Sequence, residues 1–191
     1  MSIVTDSHEG VTAAWATDIL DFWFKEVGPD GWWEHDPALD GTCAARFGDL
    51  WAEKRHGAAD DFLNRADEGL AAILLFDQMP RNMFRGTARA YATDPLAREI
   101  ARGAVARGYD VQIGGSGRLF FYMPFQHSEA MEDQEAAIAF FQTLGDQQAL
   151  RFAREHYAVI ARFGRFPHRN AVLGRTTLPQ EEAAAAEGAG W

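Results

Sequence analysis

The chain has 191 residues, 47% of them hydrophobic and 13% aromatic, and a formal net charge of −10. That length supports one domain with a substantial core, and that composition excludes disorder over most of it. The acidic balance argues against general nucleic-acid binding, the longest apolar run (Leu70 to Phe76) is too short to span a membrane, and the lone Cys43 excludes an internal disulfide framework. The polar stretch Met1 to Gly10 lacks the basic-then-apolar layout of a secretory signal, so a soluble, cytoplasmic protein is expected.

Helical periodicity runs nearly throughout. A first helix is predicted over about 12–26, with Trp15, Ala16, Ile19, Leu20, Phe22 and Trp23 on a wide apolar stripe. Gly28-Pro29-Asp30-Gly31 stops it, and Trp32 and Trp33 should pack back onto the core from the following loop. A second helix over about 38–56 repeats apolar residues at Leu39, Cys43, Phe47 and Leu50, which makes Cys43 a buried hydrophobe rather than a nucleophile. A short helix near 58–66 follows. Residues 69–79 form a central helix, apolar on all sides from Leu70 to Phe76, which Pro80 should end or kink.

Asp94-Pro95 reads as an N-cap with proline at the first helical position, opening a helix that runs to about Arg107 and closes at Gly108. Beyond the flexible Gly114-Gly115-Ser116-Gly117 joint, a helix over about 117–124 breaks at Pro124. Ser128 reads as the N-cap of a helix over 129–144, with Glu129 and Glu132 suited to its positive dipole end. Gly145 closes it, Asp146 caps the next helix over 147–163, and Gly164 and Pro167 end that one. Thr177-Leu178-Pro179 opens a short last helix. No strand-like alternation stands out. The expected fold is all-α, a single domain over 1–191 of antiparallel helical hairpins, with 1–10 and 184–191 weakly ordered.

Two stretches share one grammar. Asp77-Gln78-Met79-Pro80-Arg81-Asn82 and Arg162-Phe163-Gly164-Arg165-Phe166-Pro167-His168-Arg169-Asn170 each combine a helix end, a proline and a closing Arg-Asn. Every base after residue 54 is Arg, and residues 151–175 hold six of them against Glu155. Arg is the better donor for fixed ion pairs and for planar anions. Two readings stay open. The Arg blocks neutralise the acidic blocks across helix contacts, or they form an anion site, since Arg162, Arg165 and Arg169 exceed what capping one helix needs.

Gln134 lies on the buried line of Met131, Ile138 and Phe141, and that line projects back to His127. Both need partners, in a core network or around a pocket. His156 reads as a core histidine. Asp77 ends the all-apolar helix, so its carboxylate should lie inside, paired with Arg81 if the backbone stays helical or with an Arg of the second stretch. Glu53-Lys54-Arg55-His56 matches a Glu-x-x-His metal element but lacks a second copy. His127, Glu129, Asp133 and His168 would make a metal set only if two helix ends converged. No Walker loop or dinucleotide fingerprint is present, so no metal and no cofactor is assigned.

These segments resemble a bacterial and fungal family of uncharacterised proteins named only as a domain of unknown function. The matching pieces are Ile19-Leu20-Asp21-Phe22-Trp23-Phe24, the run from Leu75 to Gly86, Ala92-Thr93-Asp94-Pro95-Leu96-Ala97, the run from Tyr122 to Glu129, Asp133-Gln134, and the run from Arg162 to Asn170. Phe76 and Met79 replace the family's usual Leu and Phe around the Asp-Gln-x-Pro-Arg-Asn motif. The resemblance implies a right-handed, tetratricopeptide-like superhelix and no established activity. It implies motif positions at Asp77, Gln78, Arg81, Asn82, Arg85, His127, Glu129, Gln134, Arg165, His168, Arg169 and Asn170.

The leading functional expectation is a pocket for a small carboxylate or phosphate. Arg81, Arg165 and Arg169 would hold it, His127 and His168 would polarise it, and Asn82, Gln134 and Asn170 would orient it. Gln78, Arg85 and Glu129 complete the polar set. A second expectation is a hydrolase with His127 or His168 as general base, Asp77 as a further candidate, and a metal in some versions. A third is a scaffold gripping a peptide's carboxyl terminus. No nucleic-acid or membrane partner is expected, and the oligomeric state stays open.

Overall fold

A computed structural model describes residues 11–187. Helix α1 (Ala14–Asp21) widens into a π turn over Phe22–Val27, and Gly28, at φ +68°, redirects the chain into the single turn α2 (Gly28–Gly31). Trp32 packs as expected and donates from Nε1 to the Trp23 carbonyl at 2.8 Å. Trp33 stacks on the core ring of Phe120, with centroids 6.2 Å apart, yet stays 59% exposed. Helix α3 (Pro37–Lys54) starts where the Asp36 carboxylate accepts from the Ala38 N–H, and it buries Cys43, Phe47 and Trp51. Leu39 and Leu50 only flank that face. The short helix expected near 58–66 is a 3-10 turn over Ala59–Phe62.

The central element is α4 (Ala66–Ile73), which passes through a π turn at Leu74–Gln78 into α5 (Met79–Met83). Pro80 therefore does not end the helix, one of the two outcomes expected of it, and the backbone irregularity falls in the π turn just before it. A proline ring removes an N–H and crowds the carbonyl four residues back, which is Phe76. Here the wider π turn makes room. The Thr93 hydroxyl donates to the Phe76 carbonyl at 2.7 Å, and Trp51 Nε1 donates to the Thr93 oxygen at 3.1 Å. The proline's missing donor is replaced from a distant part of the chain.

Thr93 precedes α6 (Asp94–Ala106), so Asp94 is the first helical residue and its carboxylate makes no cap. Gly108, at φ +72°, leads into α7 (Tyr109–Ile113). Helix α8 (Gly117–Gln126) runs through Pro124 rather than breaking there. Helix α9 (Met131–Leu144) begins later than expected, because Ser128 accepts from the Ala130 N–H at 3.1 Å and donates to Asp133 at 2.7 Å within the approach. Asp146 then caps α10 (Gln147–Phe163) as read from the sequence. A 3-10 turn at Pro167–Arg169, another at Pro179–Glu181, and α11 (Glu182–Glu187) complete the chain. Of the two stretches expected to be weakly ordered, residues 184–187 belong to α11, while 1–10 and 188–191 lie outside the described residues.

The described residues contain no strand. Every residue from Leu70 to Phe76 is buried, and this segment packs among α1, α6 and α8. The link between α9 and α10 is so short that the two pack as a hairpin, and α8 packs on α9. No described helix is long and apolar enough to cross a membrane.

Thr93→Val keeps the shape of the side chain and removes the hydroxyl. It should cost about 1–3 kcal/mol in chemical denaturation by orphaning the Phe76 carbonyl and the Trp51 N–H, with most of the loss restored by Thr93→Ser. A neutral Thr93→Val would contradict this account of Pro80.

Candidate functional site

The π turn brings Asp77 fully inside, at 0% exposure. Its carboxylate lies 2.7 Å from His127 Nδ1 and 3.3 Å from the Arg81 guanidinium, and Gln78 Nε2 donates to its other oxygen. Burial opposes the charge, but Arg81 and His127 outweigh burial and hold Asp77 below its ordinary pKa. Arg81 reaches Asp77 because the backbone stays helical through Pro80; it also donates to the Asp77 carbonyl.

Burial, then the Arg81 charge, hold His127 below its ordinary pKa against the pull of Asp77. The ring is a neutral imidazole whose Nδ1–H donates to Asp77, which places the lone pair on Nε2. Nε2 has no hydrogen-bond partner among the described residues.

Asp94 joins the two proline-marked corners. Arg81 grips it with both terminal nitrogens, at 3.1 and 3.0 Å. From the other corner, Arg169 Nη1 lies 3.6 Å from Asp94 and donates to the His127 carbonyl at 3.0 Å. The Arg169 guanidinium carbon sits over the Tyr91 and Phe166 rings, 4.6 and 4.4 Å from their centroids. Its Nε is buried with no partner, and its Nη2 has no hydrogen bond among the described residues. Burial and the neighbouring Arg81 charge push the Arg169 pKa down. The carboxylate bonds of Arg85 and Arg165 push theirs up.

Most of the other expected site residues bond elsewhere within the protein. Asn82 and Arg85 both bind Asp40 on α3, with Arg85 at 2.7 and 2.8 Å. Arg165 holds Glu181 at 2.7 and 2.8 Å, and Asn170 donates to the same carboxylate. Glu129 does not serve the dipole of α9: it accepts from Arg175 and from the Phe166 N–H. Gln134 donates to the Gln126 and Ser128 carbonyls, while its own oxygen is buried without a partner.

Burial holds His168 at about 4, with Arg169 and Arg81 adding to the effect. His156 is the core histidine expected: its Nδ1 faces the Phe152 carbonyl at 2.8 Å, and burial pushes it down to about 3. Its ring centroid is 6.4 Å from that of His127. Among the described residues no group of three His, Cys, Asp or Glu is placed to hold a metal ion. Two surface clefts, of about 560 and 280 Å³, are lined by residues such as Trp15, Lys54 and Glu68, and Arg65, Asp67 and Tyr109, away from this corner.

The sequence reading missed Asp94 as a bridge, Tyr91 as an aromatic floor, and Asp40, Glu181 and Arg175 as the partners of its candidates. Asp94 was visible only as a helix start. For the others no local pattern exists, because each partner is more than ten residues away.

The family described as "Bacterial protein of unknown function (DUF924)" matches residues 19–189. The chain belongs to this family. A solved structure of a protein of unknown function, ATU0120 from Agrobacterium tumefaciens, is 47% identical, with a TM-score of 0.84 over 93% of this chain and 100% of that one. No curated protein matches the chain. The family membership and all-helical fold expected from the motifs are thus shown.

The buried histidines set a pH window. Unfolded, His156 and His168 take up protons near their ordinary value of 6.5; folded, they resist until about 3 and 4. Stability is therefore complete above about pH 6.5 and falls as the pH drops toward 4, by up to about 1.4 kcal/mol per pH unit for each histidine. Urea midpoints measured from pH 7.5 to 4.5 should decline below pH 6.5. Midpoints flat to pH 4.5 would contradict the assignment.

Proposed function

We propose that this protein binds a small anionic ligand at the corner shared by Arg169, Arg81 and His127. One observation carries the reading: Arg169 is 7% exposed, and its Nε has no hydrogen-bond partner. A buried, unsatisfied guanidinium donor is costly, typically by about 1–3 kcal/mol or more, and native proteins rarely keep one without a purpose. Arg81 and Arg165 meet carboxylates of the chain and Arg162 lies over the Phe163 ring, so the proposed site is smaller than the sequence alone implies. Arg165, Arg85, Asn82 and Asn170 become its scaffold. The hairpin packing of α8, α9 and α10 supports the tetratricopeptide-like reading of the fold. Cys43, buried and with its thiol pushed up to about 12 by that burial, fits the proposed cytoplasmic setting.

A second reading has its own support. The Asp77 carboxylate on His127 Nδ1 is the arrangement that orients an imidazole as a general base through Nε2. On that reading the bound anion is a substrate, and His127 takes a proton from an attacking water or from the ligand itself.

Thermal-shift measurements with a panel of small carboxylates and phosphates test the first reading. At least one member should stabilise the wild type in a concentration-dependent way, by about 2.7 kcal/mol at a hundredfold excess over Kd. Arg169→Ala should abolish that shift. A wild type indifferent to the whole panel, or a shift that survives Arg169→Ala, would overturn it. For the second reading, any hydrolysis found in an ester and phosphate screen should vanish in His127→Gln and fall steeply in Asp77→Asn; turnover unaffected by either change would sink it.

A further inference from the structure

Three arginines of this chain seat a carboxylate on their side edge, whereas Arg118 gives the same edge to the hydroxyls of Tyr122 and Thr143. Arg65 binds Asp67 through Nε and Nη2, at 3.0 and 2.9 Å. Arg85 binds Asp40 through the same two nitrogens at 2.7 and 2.8 Å, and Arg165 binds Glu181 at 2.7 and 2.8 Å. In each case two parallel N–H donors meet the two oxygens of one planar carboxylate. Arg169 has the same edge, but no described carboxylate meets it. Its Nη1 is engaged by the His127 carbonyl, and its contacts with Tyr91 and Phe166 engage the π system rather than the donors.

The charge around this edge is already balanced. Arg81 and Arg169 stand against Asp77 and Asp94, all at most 22% exposed. A neutral His127 adds nothing to that balance. A singly charged ligand leaves one excess negative charge, set directly against the Arg169 guanidinium. A dianion leaves two, with buried carboxylates close by, and repulsion at low local dielectric grows with each.

We infer that the corner takes a planar, singly charged organic carboxylate, seated in bidentate fashion on the Nε–Nη2 edge of Arg169, in preference to a dianionic phosphate. This rests on the anion reading above and narrows it to one ligand class. Tyr91 becomes a specificity-determining residue, because its ring offers the carboxylate's organic part an apolar flank beside the guanidinium.

Calorimetric titrations of the wild type with acetate, propionate and benzoate, and separately with inorganic phosphate, at pH 7.5 and constant ionic strength, test this directly. At that pH phosphate is mostly the dianion. At least one carboxylate should bind about tenfold or more tightly than phosphate. Arg169→Lys keeps the charge but loses the paired edge, and should weaken that carboxylate by about tenfold or more. The wild-type comparison stands even if the variant folds poorly. Phosphate binding as tightly as every carboxylate would overturn the narrowing and leave the anion reading intact. No binding by any of the four probes would overturn the narrowing, and, if the wider panel also fails, the anion reading with it.

Discussion

A buried and a half-buried guanidinium, Arg169 and Arg81, share one corner of this protein, and Asp94 is what allows it. Arg81 and Arg169 come from helix ends nearly ninety residues apart in the chain. Without a carboxylate between them their like charges would meet in a poorly hydrated interior. Asp94 takes Arg81 in a two-pronged bond and lies within ion-pair distance of Arg169. Removing one partner from such a buried set leaves an uncompensated charge, an effect of about 3–5 kcal/mol.

The carboxylate stands where it does because of a proline: Pro80 deprives the Phe76 carbonyl of its helical donor, and Thr93 supplies another. Thr93 and Asp94 are consecutive. The residue that repairs the central helix therefore delivers the next one to Arg81. The same helix, kept continuous by its π turn, sets Arg81 one turn after Asp77 and leaves Asp77 against His127. A backbone irregularity, a hydrogen-bond repair and an ion-pair bridge are thus successive consequences of one sequence, Asp77 to Arg81. Helices that carry π turns often do so at functional positions, and the cost of the irregularity is offset here by contacts from α3 and α6.

Much of this was legible in the sequence. The apolar spacing gave the helices; Gly145, Asp146 and Gly164 gave the hairpin between α9 and α10; the run from Leu70 to Phe76 announced the central element. Asp77 was legible as an interior carboxylate because it closes an all-apolar helix. What escaped was whatever depends on pairing across the fold. Pro80 reads locally as an end or a kink and Pro124 as a break, and no local rule says that the distant Thr93 hydroxyl will take over the Phe76 carbonyl. Arg165, Arg85 and Arg169 look alike in sequence. Only three-dimensional packing gives the first two Glu181 and Asp40, and leaves the side edge of the third without a described carboxylate. Glu129 and Asp94 read as helix-start residues, yet each turns to an arginine from another segment instead.

Ligand binding at this corner depends on the Arg169 side edge. Nitrogen-15 NMR of arginine Nε–H groups, with Arg169 assigned by its loss in Arg169→Lys, observes that edge without reference to activity. The account predicts a resolved, slowly exchanging Arg169 Nε–H that moves on titration with a small carboxylate while the Arg85 and Arg165 signals stay in place. An Arg169 signal unmoved by every carboxylate tried, or one that moves no more than those of Arg85 and Arg165, would contradict it.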